Sequence, residues 1–102
     1  MDKTDALTLA KQYAAAVVKE MTPEKIVLFG SYAQGTARPE SDIDVAVIFS
    51  GFQGDWFGTY TRLSGLSRRV SSLIEPILLD SETDASGFVE EILKTGELIY
   101  PQ

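Results

Sequence analysis

An α/β fold, one small sheet with helices packed against it, is predicted by three observations. KIVLF at 25–29 and DIDVAVIF at 42–49 are short runs rich in β-formers. Segments with apolar residues every three to four positions stand before and after them. At 102 residues the chain suffices for one core and leaves no room for a second, so residues 1–102 read as a single domain.

The elements follow in order. Residues 4–21 are expected to form a first helix, capped by Thr4, with Ala6, Ala10, Tyr13, Val17 and Met21 on one face and Pro23 as its stop. KIVLF is uninterrupted and apolar, as in a strand covered on both faces. In the second strand Asp42, Asp44, Ala46 and Ile48 share one face, while Ile43, Val45, Val47 and Phe49 share the other. Its polar start and apolar remainder mean that one end meets solvent. SGFQGD is a turn or short loop, and Asp55 can cap a helix from Trp56 to about Leu73, with Phe57, Tyr60, Leu63 or Ser64, Leu66 and Val70 facing inward. LIEPILL at 73–79 reads as a third strand, at an edge or a bulge because Pro76 donates no ladder hydrogen bond. A last helix is expected over about 85–95, closed by Gly96. Residues 42–80 thus form a β-α-β unit that suits a parallel crossover, with strand polarity left open.

Composition narrows the chemistry. There are no cysteines and no histidines, which removes disulfides, thiolate and imidazole catalysis and most zinc sites. Any catalysis must use carboxylates, hydroxyls, amines, backbone groups or hard cations. A net charge of −6 argues against nucleic acid as the main partner. No apolar stretch approaches the ~18 residues of a membrane span, and the N-terminus lacks a secretory h-region, so a cytoplasmic protein with no membrane contact is expected.

Between the first two strands lies GSYAQGTARPES, followed by Asp42-Ile43-Asp44. Residues two apart on a strand repeat at ~6.6 Å on one face, so Asp42 and Asp44 can converge. At an effective dielectric of 20, two unpaired charges at that separation repel by about 2.5 kcal/mol. On the residues alone, two readings stand. Either one aspartate caps a turn and the other lies exposed, or the pair holds a hard divalent cation such as Mg²⁺ beside substrate phosphates. Gly30 lets the backbone approach a ligand, Ser31 offers a hydroxyl, and N–H groups at a helix start here could cradle phosphate.

Gly30, Ser31, Asp42 and Asp44 match the G-S-x10-D-x-D pattern of the DNA polymerase beta nucleotidyltransferase superfamily. The fuller text FGSYAQGTARPESDIDVAV resembles its minimal nucleotidyltransferase (MNT) family, and the resemblance extends to the EEILKTGELIY end. It implies the polymerase beta-like nucleotidyltransferase fold, with a small mixed sheet of three to four strands. By the same resemblance Gly30 and Ser31 hold the β- and γ-phosphates of a nucleoside triphosphate, with ATP the expected substrate. The resemblance likewise implies that Asp42 and Asp44 bind two Mg²⁺ ions and that a third carboxylate on the next strand completes the set. Glu75 is the candidate for that role and Asp80 the runner-up, five residues on and facing the opposite side of a regular strand. Three carboxylates and two Mg²⁺ leave about one positive charge to meet the polyphosphate. Similar proteins often carry a basic residue where Gln34 stands; Arg38 is the nearest substitute.

The resemblance further implies transfer of AMP to an acceptor hydroxyl, without histidine or cysteine. Larger relatives carry a helical region that forms the acceptor pocket, which suggests that here the acceptor comes from another polypeptide or a second copy. MNT proteins are frequently paired with a helical HEPN protein as toxin and antitoxin, so the expected function is antitoxin adenylyl transfer to a HEPN-type partner, with FQGDWFGTY as the docking segment. The alternatives are a binding module that neutralises its partner by contact and a small-molecule transferase with its pocket at a homodimer interface.

Overall fold

The structure, a computed structural model, describes all residues from Met1 to Gln102. The elements run α1 (Lys3–Val18), β1 (Lys25–Phe29), α2 (Ser31–Gln34), β2 (Ile43–Phe49), α3 (Trp56–Val70), β3 (Ile74–Asp80), α4 (Phe88–Thr95) and β4 (Glu97–Tyr100). The sheet order is β3-β2-β1-β4. β1 is antiparallel to both β2 and β4, whereas β2 and β3 are parallel, so the sheet is mixed and α3 is the crossover helix. β3 is an edge strand, where the missing N–H of Pro76 is tolerated.

The helix that opens the chain starts earlier than its sequence suggests. Asp2, not Thr4, is its N-cap: the Asp2 carboxylate accepts from the Asp5 N–H at 2.9 Å, and the Asp5 carboxylate accepts from the Asp2 N–H at 3.3 Å. This reciprocal box satisfies two N-terminal donors at once, which a threonine two residues further in does not match. The helix stops at Val18, before Met21. α3 likewise ends at Val70 rather than near Leu73, because Ser71 turns extended and its hydroxyl accepts from the Leu73 N–H at 3.1 Å. α4 begins at Phe88 rather than 85. There the carboxylate of Asp84 takes the Val89 N–H at 2.7 Å, so residues 84–87 are spent on the turn into the helix. β4 is an element that the residue pattern does not reveal; its four residues ELIY are too few to show alternation.

Three layers result. α1 and α3 cover one sheet face, where Ala6, Ala10, Tyr13, Val17, Leu63 and Leu66 pack on Ile26, Leu28, Val45 and Val47. The buried Tyr13 hydroxyl donates to the Leu63 carbonyl at 2.9 Å and ties the two helices together. Burial, with the nearby Tyr60 phenol, raises the pKa of that hydroxyl well above its ordinary value. α4 covers the other face with Val89 and Ile92 against Val27, Ala46 and Ile48. Two such side chains are worth roughly 3–6 kcal/mol before entropy is subtracted, a thin cover beside that of the opposite face. The inward stripe of α3 is shorter than expected: Leu63 and Leu66 are buried, but Phe57 is 82% exposed and Tyr60 is also exposed. No helix is long and apolar enough to cross a membrane.

Candidate active site

The turn after β1 is shaped by one glycine. Gly30 has φ 74° and ψ −150°, a backbone conformation that favours glycine, and it precedes the short helix α2. A Cβ at this position would collide with Oδ2 of Asp44. Only glycine therefore lets the turn lie directly against the second strand. The first N–H groups of α2 have no partner within the helix, and they emerge beside Ser31.

Sheet register brings the carboxylates to the same place. Phe29, the last residue of β1, pairs with Asp44 of β2, and Asp44 in turn pairs with Glu75 of β3. Asp44 and Glu75 lie on the α4 side of the sheet, followed by Ala46 and Ile48 on β2 and by Ile77 and Leu79 on β3. Asp42 precedes β2 by one residue. Asp44 is half-buried, while Asp42 and Glu75 are exposed. Burial raises the pKa of the Asp44 carboxyl above its ordinary value, and the charges of Asp42 and Glu75 raise it further.

No cation offsets this charge. The ion pairs of the structure are Lys3–Glu97, at 2.8 Å, and Arg62–Glu20, and neither involves the cluster. As the side chains stand, no three carboxylates meet closely enough to enclose a metal ion. The backbone register brings Asp44 and Glu75 side by side, with Asp42 one residue before the strand. An oxygen-only donor set with unneutralised charge suits a hard divalent cation, and Mg²⁺ in particular, which takes few protein ligands.

Asp80 lies elsewhere. It pairs with Phe49 at the far end of the β2–β3 ladder, roughly 17 Å along the strand from Glu75. Its buried carboxylate accepts N–H groups from Gly51 at 3.0 Å, Phe52 at 2.7 Å and Glu82 at 2.9 Å. Those bonds, from Glu82 and Phe52 above all, lower its pKa below the ordinary carboxylate value. Asp80 organises the 50–52 loop and is not gathered with Asp42 and Asp44.

Gln34 and Arg38 are both exposed. Tyr32 and Ser41, which carry no signal of their own in the sequence, hold this loop: the buried Tyr32 hydroxyl donates to the Arg38 carbonyl at 3.4 Å, and Ser41 Oγ accepts from the Arg38 N–H at 2.8 Å. The aromatic segment divides in two. Phe52 is half-buried between Phe49 and Trp56, with ring centroids at 5.2 and 5.1 Å, while Trp56, Phe57 and Tyr60 face solvent.

Comparison with known proteins adds the following. The family model described as Polymerase beta, Nucleotidyltransferase matches residues 11–102. No curated protein sequence matches the chain. Among solved structures, a candidate nucleotidyltransferase from Sulfolobus solfataricus is 26% identical, with a TM-score of 0.68 over 94% of this chain and 80% of the other. A toxin–antitoxin structure with AMP-PNP is 24% identical, with a TM-score of 0.62 over 90% and 73%. A mutant of the MntA–HpeT toxin–antitoxin complex is 20% identical, with a TM-score of 0.58 over 100% and 75%.

Proposed function

The chain belongs to the polymerase beta nucleotidyltransferase family, and from that premise we propose that it is a Mg²⁺-dependent enzyme that transfers AMP from ATP to a hydroxyl of a HEPN-type partner, as the antitoxin of a toxin–antitoxin pair. The observation that carries this reading is the contact between Gly30 and Asp44: a backbone turn able to receive phosphates lies against a carboxylate that burial and two neighbouring acids have left short of positive charge.

The residues divide the work. Gly30 and Ser31 receive the β- and γ-phosphates, with Arg38 as the nearest cationic side chain of the loop. Asp42, Asp44 and Glu75 would hold the two Mg²⁺ ions. When bound, these ions supply charge neutralisation for the attacking and leaving oxygens. In the transfer, the acceptor oxygen forms a bond to the α-phosphorus and the bond to the bridging oxygen breaks. Pyrophosphate leaves with the electron pair. Glu75, exposed at the rim of the cluster, takes the acceptor proton. The exposed aromatic face of Trp56, Phe57 and Tyr60 offers the partner a docking surface. A likeness to a toxin–antitoxin structure with AMP-PNP supports both the adenine nucleotide and the protein partner.

A second reading, a module that neutralises its partner by contact alone, is favoured by the spread of the three carboxylates and by uncharged Gln34 in the phosphate loop. The test is incubation with Mg²⁺, ATP labelled at the α-phosphate and the product of the adjacent gene. Label is expected on the partner and is lost with Asp44→Asn. Transfer that survives Asp44→Asn overturns the mechanism, and tight binding without transfer selects the module.

A further inference from the structure

The loop that returns the chain to β2 is closed by a reciprocal pair of hydrogen bonds. Arg38-Pro39-Glu40-Ser41 forms a turn in which the Ser41 N–H donates to the Arg38 carbonyl at 2.9 Å. Pro39 at its second position has the φ that such a turn requires. In the other direction, the Arg38 N–H donates to Ser41 Oγ at 2.8 Å. The Arg38 carbonyl also receives the hydroxyl of Tyr32, whose ring is sunk in the main core. On the far side of Asp42, the fully buried Ile43 donates its N–H to the Leu73 carbonyl at 2.8 Å. Asp42 is thus an exposed carboxylate on a backbone held from both sides.

The two anchors differ in kind. Ile43 belongs to the sheet and would be held wherever the loop went. Ser41 is exposed to solvent in part and acts through its hydroxyl oxygen. Without that acceptor the turn keeps its main-chain bond but loses the second, and the peptide leading into Asp42 gains freedom beside the like charge of Asp44. We infer that Ser41 is a positioning residue, whose hydroxyl closes the Arg38–Ser41 turn so that Asp42 is presented to a divalent cation shared with Asp44. This rests on the functional reading above, since it concerns the same cation site.

The test uses Mn²⁺ alone as probe, with the chain free of nucleotide and partner, reading affinity from the electron paramagnetic resonance of unbound Mn²⁺ and stability from Tm. Loss of a group that orients a ligand typically weakens metal binding tenfold or more, so Ser41→Ala is expected to raise Kd about tenfold. Ser41→Thr, which keeps the hydroxyl, is expected to restore it. In an Asp42→Asn background Ser41→Ala is expected to add nothing, because its effect passes through the carboxylate already neutralised. A Ser41→Ala protein with lowered Tm and unchanged Kd shows a structural role only and overturns the inference, as does an undiminished effect in the Asp42→Asn background. If Mn²⁺ binding by the wild type is itself insensitive to Asp42→Asn and Asp44→Asn, the functional reading falls together with the inference. Sensitivity to those two substitutions with indifference to Ser41→Ala sinks the inference alone.

Discussion

Asp44 and Glu75 are direct partners across the parallel β2–β3 ladder, so two acids thirty-one positions apart in the chain stand side by side on one sheet face. Parallel neighbours of like charge are destabilising unless something offsets them. No cation of the chain pairs with either, and the pKa of Asp44 is raised by burial first, then by the charges of Asp42 and Glu75.

Asp44→Asn is therefore expected to stabilise the metal-free protein at neutral pH while removing its cation affinity. The gain should be on the order of 1 kcal/mol once solvent screening of the half-exposed pair is allowed for. The pH dependence follows in sign. The folded pKa of Asp44 lies above its ordinary value of 3.8, so its ionisation opposes folding: its contribution is most favourable below that value and is lost as pH rises through the folded pKa. Thermal melts in chelator across pH 3–7 should show this loss in the wild type and not in Asp44→Asn. Mg²⁺ at a hundred times its Kd should return about 2.7 kcal/mol to the wild type alone. A Mg²⁺-dependent rise in Tm in the Asn variant would contradict the assignment.

Asp80 carries the opposite sign. Its pKa is lowered by backbone N–H groups of Glu82, Phe52 and Gly51, so it contributes stability above 3.8 that is lost as pH falls through the folded value. Asp80→Asn should lower Tm at neutral pH, flatten the acid limb of the stability curve and leave Mn²⁺ affinity as in the wild type. Glu75→Gln should do the reverse, weakening Mn²⁺ binding with little loss of Tm. Exchange of these two outcomes would place the third carboxylate at Asp80.

Gly30→Ala tests the contact at the centre of the site. The new methyl meets Asp44 Oδ2 on a backbone with φ 74°, so either the carboxylate or the turn must move. A cost of about 1 kcal/mol or more in stability is expected from the backbone alone. Nucleotide transfer should fall far more steeply than stability. A variant that loses Tm yet keeps wild-type transfer would show that the turn does not need to lie against Asp44.

Much of this was legible from local pattern. Gly30, Ser31, Asp42 and Asp44 lie within fifteen residues, and strand alternation alone puts the two aspartates on one side. The limits of the pattern are also physical. Asp2 outcompeted Thr4 because Asp5 stood ready to complete a reciprocal box, and Phe57 stayed outside because α3 meets the sheet through its later turns, at Leu63 and Leu66. β4 escaped notice because an edge strand four residues long is defined by its partner β1 more than by its own composition.

The sequence by itself determined the family, the glycine turn, the aspartate pair and the absence of imidazole or thiol chemistry, since each is a matter of residue identity at short spacing. Only the tertiary structure decided that β3 runs parallel to β2, that Glu75 thereby meets Asp44, and that Asp80 is spent on the 50–52 loop. The reason is register. A strand's partner and direction are chosen by the packing of both sheet faces at once, and a shift of one residue would have turned Glu75 to the other side.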